Sequence, residues 1–207
     1  GEVGYNTLAK AVTAAQDGET IQLLWAQGDD PIAMNASLYG KNVTITDTAT
    51  VDWSKGWFFV GRGGEGNATV TFDGANLTSA SNDVNSGLGI HVSGRQKDTD
   101  NKYDGKLVIK NSTIELDYLI DRGTITLDEG ANLTVTNGFG IAGRPASETE
   151  NNNPATATIS LINGAKLIVN NHNGMGVGQA ASEPEGYGIM NIDATSTFET
   201  TQKFNIS

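Results

Sequence analysis

Cysteine is absent from the 207 residues, which excludes thiol nucleophiles, disulfides and cysteine-ligated metals and leaves the redox compartment open. Histidine is nearly absent too. His91 and His172 have no serine or carboxylate motif around them, so a catalytic triad lacks its parts. No apolar run approaches ~18 residues, so no membrane-spanning helix is encoded. Positive charge is in deficit, with 13 Lys and Arg against 24 Asp and Glu. The resulting formal charge of −11 argues against nucleic acid or an anionic membrane as partner.

What the chain does have is a repeat. Ile125-Thr-Leu-Asp-Glu-Gly-Ala-Asn-Leu-Thr-Val135, then Gly138-Phe-Gly-Ile141, recurs as Ile159–Val169 with Gly174–Val177, as Val43–Trp53 with Trp57–Val60, and as Met190–Phe198 with Phe204–Ile206. Val70–Leu77 with Gly87–Ile90, and Leu107–Ile114 with Leu119-Ile120, are versions one residue shorter in the middle. Apolar residues alternate with Thr, Asn, Asp or Lys, the period of a strand with one buried face, and Gly, Ala, Asn or Ser breaks each unit into three short strands. Two-residue hairpin loops are too rare for antiparallel pairing, although an antiparallel β-sandwich is the competing fold. Stacking the units instead buries a continuous core, as in a parallel β-helix. Strand starts at 43, 70, 107, 125, 159 and 190 leave a shortest interval of 18 residues, the bare coil, so the longer intervals carry surface insertions.

Residues 5–18 read as a capping helix, with Asn6 or Thr7 as N-cap, Leu8, Ala11, Val12 and Ala15 as the apolar face, and Gly18 as the stop. Placed before the first coil, it would cover the open apolar end of the stack. The segment Tyr5-Asn-Thr-Leu-Ala-Lys-Ala-Val-Thr-Ala-Ala-Gln-Asp-Gly-Glu-Thr-Ile-Gln-Leu-Leu24 resembles the opening of pectate-lyase-like right-handed parallel β-helix proteins. It is particularly similar to the versions in large cell-surface proteins of gut bacteria, and Lys41-Asn-Val-Thr-Ile-Thr46 resembles the strand that follows there. The resemblance implies a right-handed helix and an exported, surface-attached parent protein. It does not imply lyase activity, because a fold does not carry a function with it. The expected architecture is therefore all-β: one single-stranded right-handed parallel β-helix (β-solenoid) over 1–207, with a helix at 5–18 and about six to seven coils over 20–207. The chain is expected to be a fragment of a longer protein with further domains.

Arginine placement is the most specific chemical feature. Arg62, Arg95, Arg122 and Arg144 each follow the third strand of a consecutive coil, and Gln179 takes the matching place in the next. At the ~4.8 Å spacing of neighbouring strands these side chains would form a ladder. Acid-bearing insertions leave from the same corner. One reading pairs those acids and Asp121 with the arginines; the other makes the ladder a groove for an acidic glycan through bidentate arginine–carboxylate contacts. Asp98, Asp100 and Asp104 have spacing suggestive of Ca²⁺ but lack the glycine and closing glutamate of an EF-hand loop, so no cofactor is required by the sequence.

Asp52, Glu115, Asp117 and Glu199 read as outward-facing acids on second strands, yet they are spread along the stack and form no compact catalytic cluster. Gly61–Gly66 lacks the Lys-Ser/Thr of a phosphate loop. Among Trp53, Trp57, Phe58 and Phe59, the candidates for exposure and sugar stacking are Trp57 and Phe59. The function expected is a non-catalytic binding or adhesin module of an extracellular bacterial surface protein, recognising an acidic glycan or a host protein. The alternatives are a polysaccharide lyase or glycoside hydrolase on an acidic polysaccharide, and a structural spacer.

Overall fold

The computed structural model describes residues 3–25, 29–47, 50–54, 56–62, 66–79, 88–94, 104–142, 156–170, 176–177, 187–201 and 205–206. The chain is mostly β. After α1 (Leu8–Ala14), the first rung is β1 (Glu19–Leu23), β2 (Ile32–Ala33) and β3 (Ala36–Leu38). The second is β4 (Asn42–Asp47), β5 (Val51–Ser54) and β6 (Gly56–Val60), and the third is β7 (Ala68–Asp73), β8 (Asn76–Ser79) and β9 (Leu88–Val92). The fourth and fifth rungs each fuse their last two strands: β10 (Gly105–Lys110) with β11 (Thr113–Asp121), and β12 (Thr124–Asp128) with β13 (Asn132–Ile141). The sixth comprises β14 (Thr156–Leu161), β15 (Lys166–Val169) and β16 (Gly176–Val177); the seventh comprises β17 (Tyr187–Ile192), β18 (Thr197–Thr200) and β19 (Asn205–Ile206).

Every pairing among the described strands is parallel, which removes the antiparallel sandwich. The first strands of the rungs form a seven-stranded sheet in the order β1-β4-β7-β10-β12-β14-β17. A ten-stranded sheet holds β2-β5-β8-β11-β13-β15-β18, with β3, β6 and β9 running alongside and joining the second half of β11. We call these the first, second and third faces. Register partners Val43, Val70, Leu107, Ile125, Ile159 and Met190 are the six strand starts visible in the sequence pattern. The first five of these six are buried, in one apolar cluster that runs from Leu8 to Val177. Each fully buried aliphatic side chain contributes about 1.5–3 kcal/mol relative to exposure. Strands β2 and β3, of two and three residues, are too short for their alternation to stand out in the sequence.

The helix is shorter than the expected 5–18. It spans seven residues, and Ala15 leaves it with φ −56° and ψ 139°. Gly18 (φ +80°) turns the chain into β1 instead of ending the helix. Thr7 is the N-cap, its Oγ1 accepting from Lys10 N at 3.3 Å. At the other end Lys41 Nζ donates to the carbonyls of Thr13 (3.1 Å) and Ala15 (2.6 Å), the place where a cation satisfies orphan carbonyls. Leu8, Val12 and Ala15 are buried in the apolar cluster beside β3.

The corner between the first and second faces is a stack of left-handed residues: Gly74 (φ +69°), Asn111 (+49°), Glu129 (+49°) and Asn163 (+54°). Their side chains also tie the rungs together. Asn111 Nδ2 donates to Asp73 Oδ1 (3.2 Å) and Glu129 Oε2 (2.9 Å), and Asn163 Nδ2 donates to Asp128 Oδ1 (2.7 Å). The Asn163 N–H, donating to Asp193 Oδ2 at 2.7 Å, is the first cause holding the Asp193 carboxyl below the usual carboxylate range. Replacing Asn163 with Ala should cost about 2 kcal/mol, from left-handed strain together with a lost hydrogen bond. Asn163→Gly should recover the backbone share, so urea midpoints in the order wild type, Gly, Ala are expected. Equal midpoints for Gly and Ala would remove the backbone contribution.

Candidate functional site

At the end of the third face the chain must turn back into the next first strand, and it does so with almost no space to spare. The N–H groups of Gly61, Ser93, Arg122 and Ala142 donate to Leu38 O, Val60 O, Val92 O and Asp121 O respectively, so these four residues occupy one position in successive rungs. A Cβ on Gly94 would strike the Arg122 carbonyl, one on Gly105 the Val60 carbonyl, and one on Gly123 the Gly105 carbonyl.

That register decides where the two described arginines stand. Arg122 lies in the row of Gly61 and Ser93, half-buried, whereas Arg62 stands one residue further along, exposed, two rungs away. They do not share a row. Arg95, Arg144 and Gln179 lie outside the described residues, as do Asp98 and Asp100. Asp104 is exposed; its N–H donates to Asn67 Oδ1 at 3.0 Å, and its carbonyl accepts from Ala68 N at 3.1 Å. Among the described residues no three His, Asp or Glu side chains gather as a metal site.

Asp52, Glu115 and Glu199 stand on the outer side as alternation placed them, and Asp117 does not. Asp117 is 2% exposed, its Oδ2 accepting from Leu88 N and its Oδ1 from Thr136 Oγ1, both at 3.1 Å. The cause is a bulge: the register between β11 and β13 shifts between Leu116 and Tyr118. Its signal was present in the sequence, where inward apolar positions switch from even (Ile114, Leu116) to odd (Leu119). Asp52 accepts from Thr78 Oγ1 at 2.7 Å, and Glu199 pairs with Lys166 at 2.9 Å. Asp121, expected to pair with arginines, is fully buried among Val92 and Ile141, its register partners. Its Oδ1 accepts from Gly123 N at 2.9 Å, closing the tight corner as an Asx turn, while Oδ2 is buried without a partner.

The feature that converges is aromatic. Trp53 on the second face and Phe58 on the third point into the core, packing edge-on against Phe72, and Trp57 and Phe59 are half-buried on the outer side of the third face. Trp57 is in register with Gly89 and, one rung on, Gly89 with Tyr118. With no side chain at Gly89, the six-membered ring of the indole occupies that space: a Cβ there would sit 2.7 Å from Cζ3. Trp57 thereby reaches Tyr118, ring centroids 5.7 Å apart and planes 32° apart, and stacks with Phe59 at 6.2 Å and 23°. His91 lies 5.7 Å from Phe59, and the Arg62 guanidinium carbon sits 4.7 Å over the Phe59 ring. Asn137, itself buried, donates to the Tyr118 hydroxyl at 2.7 Å.

The bulge at Asp117 is what turns Tyr118 outward onto this strip, and Asp117 holds it by tying the third rung to the fifth. Sequence reading found Trp57 and Phe59 but not Tyr118 or His91. No family model, curated protein or solved structure matches the chain.

Burial pushes the Asp121 carboxyl up to about 8, against a smaller lowering from the Gly123 N–H. A folded state that binds a proton more tightly than the unfolded chain is favoured by acid. This group's contribution is therefore complete below the ordinary carboxylate value of 3.8 and is lost as pH rises to about 8. Asp47, also raised chiefly by burial, acts in the same direction. Urea midpoints of wild type should fall between about pH 5 and about pH 8.5, and Asp121→Asn should flatten most of that slope. An unchanged slope in the variant would mean that Asp121 ionises freely when folded.

Proposed function

We propose that the chain is a right-handed parallel β-helix serving as a non-catalytic binding module of a bacterial cell-surface protein, with the outer side of the third face as its binding surface. Seven successive rungs that each lay one strand on the first face and one on the second, all in parallel, support the helical winding. Connections between parallel strands of one sheet are right-handed in about 98% of cases, which supports the hand. The resemblance of residues 5–24 to surface proteins of gut bacteria supports the setting.

A single observation carries the binding reading: half-exposed Trp57, Phe59 and Tyr118 with Arg62 at their edge, held on a rigid sheet. Aromatic side chains that keep one face in water and are fixed by the backbone beneath them bind at little conformational cost. The ligand on this reading is a glycan or a protein of the host surface.

Fluorescently labelled chain should attach saturably to mucin-coated plates or to fixed epithelial cells. The double variant Trp57→Ala/Phe59→Ala should lose attachment by roughly tenfold or more while keeping its circular dichroism spectrum. Undiminished attachment by a folded double variant would remove the third face as the site.

A further inference from the structure

We infer that the ligand of the third face is a neutral pyranose-containing glycan, with a sugar ring stacked on Trp57 and its hydroxyls met by Arg62 and Tyr118; this rests on the third face being the binding surface. Three features of the strip select the class. The first is shape. Trp57 and Phe59 present near-parallel rings with Tyr118 tilted beside them, the centroids about one sugar ring apart, at 6.2 and 5.7 Å. A pyranose offers a flat array of C–H groups to such a surface and directs its hydroxyls to the rim.

The second is the rim. The Tyr118 hydroxyl accepts from Asn137, which orients it and leaves its own hydrogen to donate. Arg62, positioned over Phe59, presents several donors from an exposed side chain. A protein partner that adds a strand needs a free sheet edge, and the strands that carry the strip offer none among the described residues: β6 lies between β3 and β9, and β9 pairs with β11 on its other side.

The third is charge, and it separates a neutral glycan from the acidic one that the arginine pattern suggests. The two described arginines do not share a row, and Arg122 is half-buried, so the strip itself carries one exposed described arginine. Around it is a chain of formal charge −11. A polyanion would meet long-range repulsion from that net charge, whereas a neutral saccharide approaches without it. Arginine then acts as a hydrogen-bond donor to hydroxyls, not as a counter-ion.

The test is isothermal titration of the whole chain with cello-, xylo-, manno- and galacto-oligosaccharides and, in parallel, with hexuronate oligomers, each at low and high salt, with tryptophan emission recorded. Expected is saturable, salt-independent binding of at least one neutral series with a change in emission, weakened roughly tenfold by Trp57→Ala. Tyr118→Phe, which deletes only the hydroxyl, should weaken it less; it also serves should Trp57→Ala fail to fold. Binding of hexuronates alone, falling with salt, would overturn the neutral class and restore an acidic ligand. No saccharide binding, with Trp57-dependent attachment to cells intact, would overturn the glycan and leave a protein ligand on the same surface. Loss of both would remove the surface itself.

Discussion

Everything in this molecule depends on in-register parallel stacking. Each rung lies about 4.8 Å from the next, so a residue's environment is set by the same position one rung before and one rung after. Inward first-strand positions are apolar in rung after rung, as in Val43, Val70, Leu107, Ile125 and Ile159, because a polar atom there loses water without gaining a partner; Asp121 is a single-rung departure from that rule on the third face. The corners obey the same rule in another chemistry. Where the backbone turns left-handed at the first corner, Gly74, Asn111, Glu129 and Asn163 follow one another, and each Asn side chain bonds to a carboxylate of the adjoining rung.

This explains which parts could be read in the sequence. Periodicity that every rung must satisfy is repeated, and repetition exposed the first-strand starts and the three-strand unit. Features that a single rung uses are not repeated. The bulge at Asp117 belongs to the fourth rung against the fifth, and it buries an acid that plain alternation puts outside. Asp121 looked like an arginine's partner because Arg122 follows it, yet its register partners are Val92 and Ile141 in the core. Adjacency in sequence lost to adjacency across rungs.

The aromatic strip was half legible for the same reason. Trp57 and Phe59 are two apart on one strand, and alternation alone puts them outside while Trp53 and Phe58 go in. Tyr118 joins them only because residues 57, 89 and 118 share a register position, through intervals that contain insertions of unequal length. For the two described arginines the lesson is opposite: each follows a third strand in chain order, a regularity that register does not preserve between Arg62 and Arg122.

Trp57 rests on a rung to which it does not belong, filling the place a side chain at Gly89 would take. Indole and glycine are therefore a single unit split between two distant stretches of chain. A residue with no side chain governs the shape of the surface as firmly as the ring that covers it. In a lineage of such chains the two positions are bound to be inherited or exchanged together, so the history of the surface would be written as plainly in the small residue as in the large one.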